Sequence, residues 1–283
     1  MRDVYQEITN TIIKQIEEAG SDWIKPFHSM GSVPVNYNTG NTYRGINILL
    51  LGMTGKSQIW SSYKQWQEKG GNVRKGEKGT QIVFFKMLEK ENKQGEKSTF
   101  PLIRYSTLFS IDQVEGIELP KTNLPDLTQS IANADIYIKN TGANVFESDK
   151  GAFYMPSQDK IGMPPRNAFI DTPTSTATEC YYATLLHELT HWTGCKKRLD
   201  RFCGGLFGSE NYAFEELVAE LGAAFQCGSL GIASEPRKDH SQYLKSWLKC
   251  LKENKNAIFK AASEAQKAVD YIEGLQQAEA KAA

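Results

Sequence analysis

Two histidines and a glutamate occupy the stretch His187-Glu188-Leu189-Thr190-His191. Side chains four apart on a helix lie one above the other, so both imidazoles can address a single ion. Neutral imidazole suits Zn²⁺, with another divalent metal as the alternative. A glutamate beside the first ligand can take a proton from water held by the ion, whose pKa falls from about 16 to about 7. The HExxH pattern therefore predicts a metal-dependent hydrolytic centre with Glu188 as general base. Five letters also recur by chance in plain amphipathic helices. Against that reading, two of only four histidines in the chain fall inside the motif.

A third ligand is needed. A histidine six residues after His191 would supply one, but that position holds Lys197. A carboxylate from a following helix is the other solution, and Glu-Glu-Leu-Val-Ala-Glu supplies Glu215, Glu216 and Glu220. Glu216 and Glu220 share a helix face, the arrangement of gluzincin-type sites, where one acid binds metal and the other orients a ligand imidazole. Glu216 is thus expected to be the third ligand and Glu220 the orienting partner, with Glu215 as fallback ligand. His28 and His240 have no such neighbours.

The rest of the chain must position these groups. Val4, Ile8, Ile12, Ile13 and Ile16 mark an amphipathic first helix, and residues 57–70 fit a second, with Ile59, Tyr63 and Trp66 on one face. TQIVFFKML and FPLIRYSTLFSI read as paired strands after the loop GNVRKGEKG. Two prolines in a polar stretch place a linker at 118–130, and short strand-like pieces then lead to helices from Thr178 onward. The reading is α+β: a small mixed α/β domain at 1–117, the linker, and a mostly helical domain with a short sheet at 131–283.

No apolar run reaches the roughly 18 residues of a membrane span, so no membrane partner and a cytoplasmic address are expected. Five cysteines without a CxxC pair argue against a disulfide framework. Net charge is zero, yet between Gly40 and Tyr105 twelve Lys or Arg face five acids, a local excess of +7. Single-stranded nucleic acid is held by cationic grooves with aromatic faces on which bases stack. Arg44, Lys64, Arg74, Lys75 and Lys78, with Trp60 and Trp66, are the candidate DNA contacts; the competing reading makes the tryptophans core residues. Gly55-Lys56-Ser57 mimics the end of a phosphate loop, but Leu50 stands where the first glycine is required.

YRGINILLL (43–51), WSSYKQWQEKGGNVRKGEKGTQIVFFK (60–86), YSTLFSIDQVEGI (105–117), MPSQDKIGMPP (155–165), LLHELTHWTG (185–194) and FGSENYAFEELVAELGAAF (207–225) run in order over nearly the whole chain. In these stretches the chain resembles the ArdC-type antirestriction proteins, which are similar to the N-terminal part of TraC-type conjugation primases. The resemblance implies an N-terminal single-stranded-DNA-binding domain and a C-terminal zincin-like metallopeptidase domain in a plasmid or phage setting. It also implies metal at His187, His191 and Glu216, and a protein substrate such as a host restriction or regulatory component. Cys195 stands where the family commonly has histidine, and is expected to lie outside the ligand set. Two other functions fit the motifs: a protective DNA-binding module whose metal is structural, or a regulatory metalloprotease that cleaves a repressor.

Overall fold

The structure is a computed structural model describing residues 3–24, 32–91, 97–118, 127–201, 210–233 and 243–282. Helix α1 (Val4–Ala19) forms where the apolar residues recur at helical spacing, and Asp3 caps it by accepting from the Gln6 amide. Its apolar stripe is buried against C-terminal residues. The Tyr5 ring meets Phe259 edge-on at 4.4 Å, and the Thr9 hydroxyl donates to the Lys255 carbonyl at 2.7 Å.

The chain divides into two compact units, Pro34–Thr122 and a second made of Met1–Val33 with Asn123–Ala283. By compactness α1 groups with the C-terminal helices, although it precedes the smaller unit in the chain. Periodicity reveals that a helix has an apolar stripe without revealing what covers it.

In the smaller unit, strand β1 (Val35–Asn36) is followed by helix α2 (Ile46–Gly52), strand β2 (Ile59–Ser62) and helix α3 (Tyr63–Glu68). Strands β3 (Asn72–Val73), β4 (Thr80–Glu91), β5 (Lys97–Ser110) and β6 (Val114–Glu115) complete it. The main sheet has the order β1-β2-β5-β4, with β4 and β5 antiparallel from Thr80↔Leu108 to Glu91↔Lys97. The single helix expected over 57–70 is instead a strand and a helix. Trp60, Ser61 and Ser62 pair with Ser110, Phe109 and Leu108, and a capping box between Ser62 and Gln65 starts the helix only there.

Tyr43, Leu51, Trp60, Ile82 and Leu108 form one buried cluster of this unit, and Trp66, Val73 and Ile111 another. The Asn47 side chain bonds both backbone groups of Val83, so α2 covers part of the β4 edge in place of a further strand.

The larger unit continues with α4 (Leu127–Lys139) and strands β7 (Asn144–Glu147), β8 (Phe153–Met155) and β9 (Lys160–Met163) in the order β7-β9-β8. Helices α5 (Ala177–Thr193), α6 (Glu210–Leu230), α7 (Leu244–Glu253) and α8 (Ala257–Ala282) follow. Helix α4 begins inside the stretch read as linker, because Ser130 and Ala134 are buried in this unit; residues 119–126 lie outside the described set. No described helix is long and apolar enough to cross a membrane.

Helices α5 and α6 pack closely enough to bring histidines to carboxylates. Gly222 makes this possible: a Cβ there would lie 2.5 Å from Thr190 Cγ2 and 2.7 Å from its hydroxyl. Gln226 donates to the same hydroxyl at 2.9 Å and fixes the crossing. Gly222→Ala is expected to cost about 1–3 kcal/mol in chemical denaturation, as overpacked cores do. Unchanged stability would mean the helices part without penalty.

Candidate metal centre

A capping box between Thr176 and Glu179 starts α5, and its buried C-terminal half carries His187, Glu188 and His191. Helix α6 presents Glu216 and Glu220 on the facing side, all but sealed from solvent. His187 Nε2 lies 3.5 Å from Glu216 Oε2, and His191 Nε2 lies 3.6 Å from Glu216 Oε1. One donor atom from each of these three residues falls within 4.8 Å of the others. A tetrahedral ion with bonds of about 2.0–2.1 Å separates its donors by about 3.3–3.4 Å, close to the two distances from the imidazoles to the Glu216 carboxylate.

Electrostatics point the same way. Burial favours neutral His191, but the Glu215 and Glu216 carboxylates outweigh it and raise its pKa to about 10. Burial likewise opposes charge on Glu216, yet His187 and His191 hold its carboxyl well below the usual range. The point where the donors converge therefore favours positive charge, which a divalent ion would supply.

The other ring nitrogens meet carboxylates too. His187 Nδ1 faces Glu220 Oε2 at 3.5 Å, and His191 Nδ1 donates to Glu215 Oε1 at 3.1 Å. Glu215 is therefore turned to the outer nitrogen of His191, away from the ligand position it was held in reserve for. Arg201 grips it with Nε to Oε2 and Nη2 to Oε1, both at 2.8 Å. Burial raises the Glu215 pKa, but Arg201 and His191 more than offset this.

Glu188 is buried beside His187 and takes no place in the ligand triangle. Cys195, half-buried just past the helix, contributes no donor either. Two contributors were not singled out from the sequence: Arg201, and Tyr212, one turn before Glu216 and hydrogen-bonded to it. Burial and the Glu216 charge push the Tyr212 phenol well above its ordinary range. Only an isolated arginine after a loop, and the i, i+4 spacing of Tyr212 and Glu216, could have signalled them.

The DNA candidates are less uniform. Trp60 and Trp66 are fully buried, and Trp66 Nε1 donates to the Phe109 carbonyl at 2.9 Å. Both are core residues, which corrects their assignment as base-stacking contacts, since neither presents a ring face to solvent. Arg74 bonds Glu77 at 2.7 Å and the Asp112 carbonyl at 2.6 Å, pinning its own loop. Lys64 is exposed beside Glu68 at 3.7 Å, and Arg44, Lys75 and Lys78 are exposed. Lys75 and Lys78 form no ion pair among the described residues.

Residues 2–109 match the family described as the N-terminal domain of anti-restriction factor ArdC, and residues 132–264 match the zincin-like metallopeptidase family. The chain is 36% identical over 290 residues to the uncharacterized protein y4eC of Sinorhizobium fredii, covering 97% of this chain and 92% of that one. It is also 34% identical over 295 residues to a DNA primase TraC of Escherichia coli, of which it spans 20%. Crystal structures of antirestriction ArdC from plasmid R388 share 38% identity, and each match covers 97% of this chain and 98% of that one. The TM-score is 0.79 to the metal-free form and 0.76 to the Mn(II)-bound form. This chain belongs to the ArdC antirestriction family.

Proposed function

We propose that this protein couples single-stranded-DNA binding by the smaller unit to a divalent-metal hydrolytic centre in the larger one, acting on a protein substrate. The observation that carries the reading is the convergence of His187, His191 and Glu216 donors within 4.8 Å. An ion held there would polarise a peptide carbonyl and acidify water. Glu188, next to the first histidine, would accept the proton of the attacking water and pass it to the leaving amine. Glu220 and Glu215 would hold the outer nitrogens of the imidazoles, which leaves their inner lone pairs for the metal. Zn²⁺ suits the ligand types, and the Mn(II)-bound relative favours testing manganese beside it. Metal-loaded protein is expected to cut members of a peptide library, and a chelator should abolish cutting. No cleavage with either metal would remove the hydrolytic half of the reading.

For DNA, support comes from exposed rings in place of the buried tryptophans. Tyr63 and Tyr105 are each 45% exposed. Tyr105 and Phe109 alternate onto one face of β5, and the Tyr63 ring meets Phe109 at 6.2 Å. The RKGEKG loop returns over this face through Gly79, where a Cβ would strike Thr107 Cγ2 at 2.3 Å. Lys75 and Lys78 lie on that same loop.

Stacking contributes about 1–3 kcal/mol per base. Tyr63→Ala/Tyr105→Ala is therefore expected to weaken single-strand binding about tenfold or more in fluorescence anisotropy. Lys75→Ala/Lys78→Ala should flatten the dependence on log salt by about 0.7 for each phosphate that is no longer neutralised. Wild-type protein without salt-dependent single-strand binding would overturn this half of the function.

A further inference from the structure

The segment after α5 folds back on the helix end. The Leu199 amide bonds the Thr193 carbonyl at 3.0 Å, and the Arg201 amide bonds the Gly194 carbonyl at 2.9 Å. Asp200, with φ 46°, makes the bend that delivers Arg201. The Arg201 guanidinium is then held inside the protein, its side chain only 5% exposed. Besides its two bonds to Glu215, Nη2 donates to the Thr190 carbonyl at 2.8 Å and Nη1 to the Thr193 hydroxyl at 3.1 Å.

We propose that Arg201 is a positioning residue of the metal centre, acting through Glu215 on the ring orientation and tautomer of His191. An ionised carboxylate only accepts hydrogen bonds, so once an ion displaces the Nε2 proton of His191, Glu215 requires the remaining proton on Nδ1. The lone pair then sits on Nε2, the nitrogen 3.6 Å from Glu216. A carboxylate alone could rotate or swing away. The planar fork of Arg201 fixes both oxygens of Glu215, while its remaining donors anchor the fork to Thr190 and Thr193, on either side of His191 itself. Helix, carboxylate and ring thus close into one rigid loop of contacts. On His187 the corresponding carboxylate is Glu220, 3.5 Å from its Nδ1.

A different role would leave the same hydrogen bonds in place. Arg201 satisfies carbonyls near the C-terminus of α5, where a cation is favourable whatever the helix carries. The two roles separate in what they predict. A helix cap affects stability alone; a positioning residue also sets metal affinity and the electronic environment of the bound ion.

The inference rests on the metal-centre reading. The test is titration of metal-free full-length protein with Zn²⁺ and with Co²⁺, following affinity by calorimetry and the ligand field by visible absorption. Arg201→Ala is expected to bind Zn²⁺ about 10–100-fold more weakly, the usual consequence of losing an outer partner of a ligand, and to show an altered Co²⁺ spectrum. Arg201→Lys keeps the charge without the fork and should recover only part of the affinity. Glu215→Ala and the Arg201→Ala/Glu215→Ala double variant should lose affinity to the same extent, because Arg201 acts through Glu215.

Wild-type affinity and spectrum in folded Arg201→Ala protein would overturn the inference, leaving a helix cap. If that variant does not fold, Arg201→Lys and Glu215→Gln decide, and wild-type metal binding in both would overturn it equally. Wild-type protein that takes up neither ion defeats the metal-centre reading itself, a result distinct from either of these.

Discussion

A His187→Ala/His191→Ala double variant is expected to carry no metal, where the wild-type chain carries about one divalent ion. Two of the three donors disappear, and no single remaining carboxylate replaces the directional imidazole nitrogens. Elemental analysis by mass spectrometry reads this directly. A thermodynamic signature should accompany it. An ion that binds only the folded state stabilises it by about 2.7 kcal/mol at a hundred times its dissociation constant. Added Zn²⁺ or Mn²⁺ should therefore raise the melting temperature of the wild type and leave the double variant unmoved.

The variant also loses something without metal, since buried Glu216 and Glu220 lose their imidazole neighbours, and broken buried pairs cost about 3–5 kcal/mol. Circular dichroism distinguishes that loss from unfolding. His187→Gln, nearer in size, should keep the fold and still forfeit the ion. Equal metal content in wild type and folded double variant would place any bound ion elsewhere and dismantle the proposed centre.

Much of this centre was readable in advance because its key spacings are local. His187 and His191, like Glu216 and Glu220, lie one helical turn apart, and backbone geometry alone puts each pair on one face. What the chain order could not contain was the close approach of the two helices, which Gly222 allows against Thr190. At that approach Glu215 meets His191 Nδ1 on one side and Arg201 on the other.

In the smaller unit the ambiguity lay in aromatic residues. Trp60 and Trp66 sit among cations in sequence, but their burial depends on β5 and on Phe109, more than forty positions away. A strand at 59–62 was concealed for the same reason, since its partner is the distant end of a hairpin. Helix α1 shows the limit most plainly: its stripe was visible, whereas its partners Phe259 and Lys255 lie at the other end of the chain.

Whether the centre is catalytic turns on one atom pair. Glu188→Gln preserves side-chain size and leaves His187, His191 and Glu216 intact, so metal content and melting temperature should match the wild type. It removes the carboxylate that would accept a proton from water, and general-base catalysis of this kind contributes about 10²–10⁴-fold. Peptide cleavage should fall by that factor with substrate affinity little changed, because the loss falls on the transition state. Single-strand binding should not change, since Glu188 lies outside the unit that carries the exposed tyrosines and lysines. If cleavage and protection against restriction both fell with metal retained, the ion would be a reagent. Full protection by Glu188→Gln would instead make the ion a brace between α5 and α6. The buried Glu188 would then be a residue of the helix core, and the antirestriction activity would reside in DNA binding alone.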